Sequence, residues 1–192
     1  MIEWLEHIDR IIFLWINGLH SPLFDTFFYY ITKFYISIPV YFVIIYLLYK
    51  KFSPSYASLL LGIMILAVIS ADAISVAWFK EVFLRYRPSH NTEIQDMIHI
   101  VKNYRGGTYG FVSSHAANTF AFALFSGLVF RTKRILIPLF IWAGLVSYSR
   151  IYLGVHYPAD IVCGALVGMC IAFVYYKIFT ILHIRFSTSK NL

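Results

Sequence analysis

Residues 158–181 read P-A-D-I-V-C-G-A-L-V-G-M-C-I-A-F-V-Y-Y-K-I-F-T-I, with Asp160 and Lys177 as the only charges. A helix needs about 20 mostly apolar residues to cross the hydrocarbon core of a bilayer, and this run supplies them. It predicts a transmembrane helix opened by Pro158, a residue suited to the first helical turn.

Working outward, four more runs of the same character appear. Tyr35 to Tyr49 is apolar and ends at Lys50-Lys51; with Phe27 to Lys33 before it, the run is long enough to span. Tyr56 to Phe79 is interrupted only by Asp72. Ser113 to Phe130 ends at the basic loop Arg131-Thr132-Lys133-Arg134, and Ile135 to Tyr148 extends to Tyr152. The expected fold class is therefore all-α: a polytopic transmembrane bundle of five to six spans, forming one membrane-embedded domain over residues 1–192. Ile11 to Leu19 is too short to span. Residues 1–26 are read either as an interfacial helix, with Trp4 and Trp15 at headgroup depth, or as a sixth, tilted span. Glu3, Glu6 and Asp9 lie where a signal peptide would be basic, so no cleavable signal is expected.

Composition agrees. Of 192 residues 60% are hydrophobic, 19% aromatic and only 13% charged, against about a quarter charged in soluble domains. The net charge of +7 does not indicate nucleic acid, because the basic residues cluster at the ends of apolar runs, as membrane topology requires. Cys163 and Cys170 share one helix ~10.5 Å apart along its axis, too far for a disulfide.

Five spans place Lys50-Lys51, the 131–134 loop and the tail residues Lys177, Arg185 and Lys190 on one side. The positive-inside rule makes that side cytoplasmic. The opposite side receives the 80–112 segment and the short 150–157 loop, yet is also basic, through Lys80, Arg85, Arg87, Lys102, Arg105 and Arg150. Positives kept against the rule need another purpose, and binding an anion is the obvious one. Residues 89–112 read as a periplasmic loop, with a short amphipathic helix around Glu93 to Val101.

Three blocks on that side carry chemistry. The first, K-E-V-F-L-R-Y-R-P over 80–88, puts Lys80 and Arg87 two helical turns apart on nearly one face, a pairing of ammonium and guanidinium suited to phosphate. The second, Val112-Ser113-Ser114-His115, opens a span, where unpaired backbone N–H groups favour an anion. The third, S-R-I-Y-L-G-V-H-Y-P-A-D over 149–160, sets His156 and Asp160 four apart, about 40° around a helix. A carboxylate so placed can hold one imidazole nitrogen and aim the other at an electrophile, with Arg150 across the loop. Asp72, about two turns deeper than Lys80, is expected to face the protein interior in a structural role. Tyr104-Arg105-Gly106-Gly107 is equally able to cover a headgroup or to serve as plain loop.

Together, Lys80-x6-Arg87-Pro88, Ser113-Ser114-His115 and Ser149-Arg150-x5-His156-x3-Asp160 resemble the type 2 phosphatidic acid phosphatase superfamily, over the 81 residues from Lys80 to Asp160. The resemblance implies a metal- and cofactor-independent lipid phosphatase of the bacterial inner membrane, its site facing the periplasm. It implies His156 as the nucleophile that forms a phosphohistidine, Asp160 as its orienter and His115 as general acid. Lys80, Arg87, Arg150, Ser113 and Ser114 would bind the phosphate. The family usually has Gly where Ser114 stands, and Ser114 would be strained if that position needs positive φ. Among substrates, lipid A with its 4′-phosphate is favoured; undecaprenyl diphosphate and phosphatidylglycerophosphate are the alternatives. A non-catalytic protein that binds or transports anionic lipid is the rival class. Expected partners are the phosphorylated lipid and the bilayer, with no nucleic acid and no obligatory protein partner.

Overall fold

The computed structural model describes residues 2–189, with side chains for residues 3–182; the side chain of Arg185, and Lys190, lie outside the described residues. The described residues are mainly helical, as expected. In order come α1 (Ile2–Gly18), α2 (Pro22–Ile31), α3 (Phe34–Lys51) and α4 (Pro54–Ile74). A π-helical turn (Ser75–Lys80) follows, then a single turn, α5 (Glu81–Phe83), and α6 (Ser114–Phe130), α7 (Lys133–Tyr152) and α8 (Pro158–Ser189). Among the described residues the only β pairing is one isolated antiparallel bridge, Tyr86 to Tyr109.

Four helical stretches are long and apolar enough to cross a membrane: Phe34–Lys51, Pro54–Phe83, Lys133–Tyr152 and Pro158–Leu182; α6 is a shorter apolar helix. Outward-facing Phe42, Tyr46, Leu66, Ile69, Ile141, Val162 and Leu166 are all exposed. So much apolar surface would be unfavourable in water and is natural in lipid. This is a membrane protein.

α6 is the central post. Its Ala116, Ala117, Ala121, Ala123 and Phe125 are buried, and α8 closes on it through glycines. A Cβ added to Gly168 would lie 2.0 Å from the carbonyl oxygen of Ala117, and one on Gly164 2.5 Å from that of Ser113. Without a hydrophobic drive between helices in lipid, such close approach is what holds them.

The apolar run from Phe27 to Tyr49 is not one helix. It breaks at Thr32 and Lys33, where Lys33 is extended (φ −76°, ψ 137°) and places its ammonium over the rings of Tyr29 and Tyr104. α1 touches the site end of the bundle at two places. Asp9 accepts from Ala159 N near the start of α8 (2.9 Å). Asn17 donates to Tyr152 O at the end of α7 (2.8 Å) and to His99 O (3.0 Å).

Residues 84–113 cross this same end, held by Ser89 N to Gly154 O (3.1 Å) and by Ser89 and Arg105 bonding one another's backbone carbonyls. The helix expected around Glu93 to Val101 does not form; the segment is a series of turns. Asn91 explains this locally: its Oδ1 takes the Glu93 amide (3.0 Å), the competing side-chain bond that diverts Asn from helix.

Candidate active site

Lys80, Arg87, Ser114, His115, Arg150 and His156 all line one cavity of about 330 Å³ at the end of the bundle. The three blocks, spread over 77 positions of sequence, therefore meet.

Lys80 and Arg87 arrive by a different route from the one expected. The helix stops at Phe83, with Leu84 left-handed (φ 49°), so the two do not share a helix face. The π turn sets Lys80. Five residues along an ordinary α-helix leave two side chains roughly 140° apart, whereas i→i+5 bonding brings Ser75 and Lys80 to one side. Both reach the same hydroxyl: Ser75 Oγ lies 2.6 Å from Ser114 Oγ, and Lys80 Nζ donates to it. Arg87 is held instead by a short ribbon. Its backbone N–H donates to Thr108 O (3.0 Å), and its Nε to Tyr109 O (3.1 Å). Gly106, left-handed at φ +68°, passes so close that a Cβ there would sit 2.3 Å from Arg87 Nη1.

Arg150 is 1% exposed. Its Nη1 donates to Thr32 Oγ1 (2.7 Å) and its Nη2 to Tyr104 Oη (2.9 Å), while its Nε has no partner among the described residues. Its ligands are neutral. A buried guanidinium without a carboxylate is costly, and an anion in the cavity would offset that cost. Arg87 shows the same tension: burial, then the charge of Arg150, lower its pKa to about 10. Burial pushes the Tyr104 phenol up, but the charge and hydrogen bond of Arg150, with Arg87 and Lys33, outweigh it, so the net shift is downward.

His156, 1% exposed, sits in the loop between α7 and α8. Its Nδ1 faces Asp160 Oδ2 at 3.3 Å. Burial, then Arg87, Arg150 and Lys80, drive its pKa well below the usual histidine value. That direction favours the neutral ring that a nucleophile needs. Asp160 is fully buried behind it, accepting also from Tyr157 N (3.0 Å), and does not line the cavity.

Three placements bear on the sequence reading. Ser113 does not face the cavity: it is the N-cap of α6, its Oγ accepts from Ala116 N (3.5 Å) and its own N–H donates to Asp160 O (3.0 Å). Asp72 turns toward the bundle, as expected, and lines the cavity, where Asn118 Nδ2 donates to its Oδ1 (2.9 Å). Ser114 opens α6 and is absent from the positive-φ residues, so its side chain is unstrained and contributes a hydroxyl. Tyr104, Gly106 and Gly107 form part of the wall, which favours the headgroup-covering role for that loop.

No group of three or more His, Cys, Asp or Glu able to hold a metal occurs among the described residues. Thr32, Phe34 and Tyr41 also line the cavity and carried no signal in the sequence, since only the turn at 32–33 brings them there.

The PAP2 superfamily model matches residues 56–183. A lipid A 4′-phosphatase of Bacteroides thetaiotaomicron is 40% identical over 88% of this chain and 75% of its own length. One from Porphyromonas gingivalis is 36% identical over 93% and 75%. Among solved structures, a PAP2-type phosphatidylglycerolphosphate phosphatase from Bacillus subtilis superposes with a TM-score of 0.70, covering 92% of this chain and 86% of that one at 19% identity.

Proposed function

Since the chain belongs to the PAP2 superfamily and is thus a membrane lipid phosphatase, we propose that it removes the 4′-phosphate of lipid A from the periplasmic face of the bacterial inner membrane. Extended identity to two lipid A 4′-phosphatases carries the choice of substrate. The cavity carries the chemistry: three cations, none in ion-pair contact with a carboxylate among the described residues, converge on an imidazole backed by one.

In the proposed sequence, Lys80, Arg87 and Arg150 bind the phosphate oxygens, with the Ser114 hydroxyl beside Lys80. His156 Nε2 attacks phosphorus as the P–O bond to the sugar breaks, and His115, protonated once the anionic phosphate is bound beside it, gives that proton to the departing oxygen. Asp160 accepts from Nδ1–H and stabilises the charge that develops on the ring. Water, deprotonated by His115, then cleaves the N–P bond, releasing phosphate and restoring both histidines. Charge stabilisation by groups already in place supplies most of the acceleration, and no step calls on a metal. Ser113 acts indirectly, through the cap of α6 and its bond to Asp160. α1 is read as an interfacial helix, because both its anchors lie at the site end.

Phosphate release from lipid A by purified protein in detergent with EDTA present tests this reading. Mass spectra of envelope lipids from cells with and without the protein should differ by the mass of one phosphate group on lipid A. His156→Ala should abolish the difference while leaving the thermal unfolding profile unchanged. Activity on undecaprenyl diphosphate or phosphatidylglycerophosphate alone would move the substrate; activity on none of the three would defeat the proposal.

A further inference from the structure

Arg85 precedes the phosphate-binding Arg87 by two residues yet points elsewhere. Its Nη1 donates to Asp160 Oδ1 at 2.7 Å, and its Nη2 to Asp9 Oδ2 at 2.8 Å. Its guanidinium lies over the Tyr157 ring, 4.2 Å from the centroid. The second oxygen of Asp160 faces His156 Nδ1, and the second oxygen of Asp9 accepts from Ala159 N. A continuous chain of charge-assisted bonds thus runs from α1 through Arg85 to the imidazole. Asp9 and Arg85 are 8% and partly exposed respectively, Asp160 not at all.

A carboxylate removed from water stays ionised only beside a compensating charge. Among the described residues Arg85 is the one Lys or Arg side chain in ion-pair contact with Asp160. The guanidinium is also a rigid fork. With one arm fixed by Asp9, the other sets the plane of the Asp160 carboxylate, and through it the tilt of the His156 ring. Around Asp160 stand Arg85 and Arg87 from the segment after α5, Asp9 from α1, His156 and Tyr157 from the preceding loop, and Cys163 on α8 itself, with Lys80 farther off. Of the cations among these, Arg87 and Lys80 line the phosphate cavity; Arg85 does not.

We propose that Arg85 and Asp9 are positioning residues for phosphoryl transfer, fixing Asp160 and hence His156, so that α1 is seated on the reaction centre itself. The proposal rests on the phosphohistidine reading above. An ion pair that merely fastened α1 would have no need to share its cation with the carboxylate behind the nucleophile.

The experiment measures kcat, KM and the pH profile of phosphate release from lipid A, using purified full-length protein in detergent. Arg85→Gln should lower kcat roughly 10²-fold, the scale of a misaimed reacting group, with KM within about 3-fold. Its acid limb of kcat/KM should move up by about one pH unit, because loss of a nearby cation lets the His156 imidazole take up a proton at higher pH. Asp9→Asn keeps an acceptor for Ala159 N–H. It should lower kcat about 10-fold through loss of the anchor without an upward shift, since it removes an anion from the neighbourhood of Asp160. The double variant should be no worse than Arg85→Gln alone, as expected for one coupled unit. Arg85→Lys, which restores charge without the fork, should recover the pH limb but not the full kcat.

Wild-type kcat and an unmoved limb in both single variants would overturn the proposal. Activity that falls only in step with melting temperature, the limb unmoved, would overturn it equally, leaving the pair as a fastener of α1. Should Arg85→Gln fail to fold, Asp9→Asn decides alone: lowered kcat at constant KM supports the proposal and wild-type kcat refutes it. A wild-type protein inactive on every lipid would defeat the phosphatase reading beneath it, whereas active wild type with indifferent variants defeats this inference only.

Discussion

Both ends of the bundle are basic, but they use their cations in opposite ways. At the end away from the site, Lys50, Lys51, Arg131, Lys133, Arg134 and Lys177 are exposed. Two of them close off what the helices leave open: Lys51 Nζ donates to Phe130 O at the end of α6 (3.0 Å), and Arg131 Nη2 to Tyr176 Oη (3.2 Å). At the site end, Arg150 and Arg87 are buried and Lys80 half-buried, turned inward onto one cavity. A positive charge at a helix end in a membrane protein is ordinary. A positive charge withdrawn from water with no ion-pair partner among the described residues is costly, and an anionic ligand would offset that cost.

That contrast should break most visibly at Arg150. Arg150→Ala should cost about 10² to 10³ in kcat, the scale of removing one preorganised group from a developing charge, as read from initial rates of phosphate release. Gly106→Ala adds no charge and removes none. Its Cβ must nevertheless displace the Arg87 guanidinium, and its φ of +68° disfavours any side chain. A loss of about tenfold in kcat/KM is expected, with vanadate inhibition weakened in parallel.

The pH profile sharpens the comparison from another side. Inward cations hold the His156 pKa well below 6.5, together with burial, which is the larger cause. A lowered pKa keeps the neutral ring as pH falls. kcat/KM, which reports the free enzyme, should therefore stay within about 2-fold over the first unit below the ordinary histidine pKa of about 6.5. An unshifted histidine nucleophile would already have lost about tenfold there. At the far end the smallest effects are due: Lys50→Ala and Lys133→Ala should alter stability by about 0.5 kcal/mol or less and leave turnover unchanged. A large loss from either would dissolve the distinction between the two ends.

Much of this was legible in the chain itself. Apolar runs bounded by charge gave the helices to within a few residues, as with Ser113 to Phe130 against Ser114–Phe130, because bilayer thickness dictates their length. The cluster of six cavity-lining residues was legible too, since each belongs to a spaced motif. Features set by distant contacts were not. The break at Thr32-Lys33 is stabilised by rings of Tyr29 and Tyr104 and by Arg150, 118 positions away from Thr32. Arg85 and Asp9 pair across 76 positions, and neither stands at a motif spacing. Ser113 carried a motif signal and caps α6 with its oxygen, a local use that the pattern S-S-H cannot separate from ligand binding.

The widened turn at Ser75–Lys80 also has a bearing on how this enzyme tolerates change in length. It stores a surplus residue, so deleting one position within it would leave Ser75 and Lys80 four apart on a uniform helix, about 40° round and still on one side, whereas a deletion in α4 before it would swing everything downstream by about 100° and carry the ammonium of Lys80 away from Ser114. The same deletion in the turns of residues 91–99 would be absorbed as slack. Insertions and deletions in this chain are therefore graded by phase rather than by depth in the membrane.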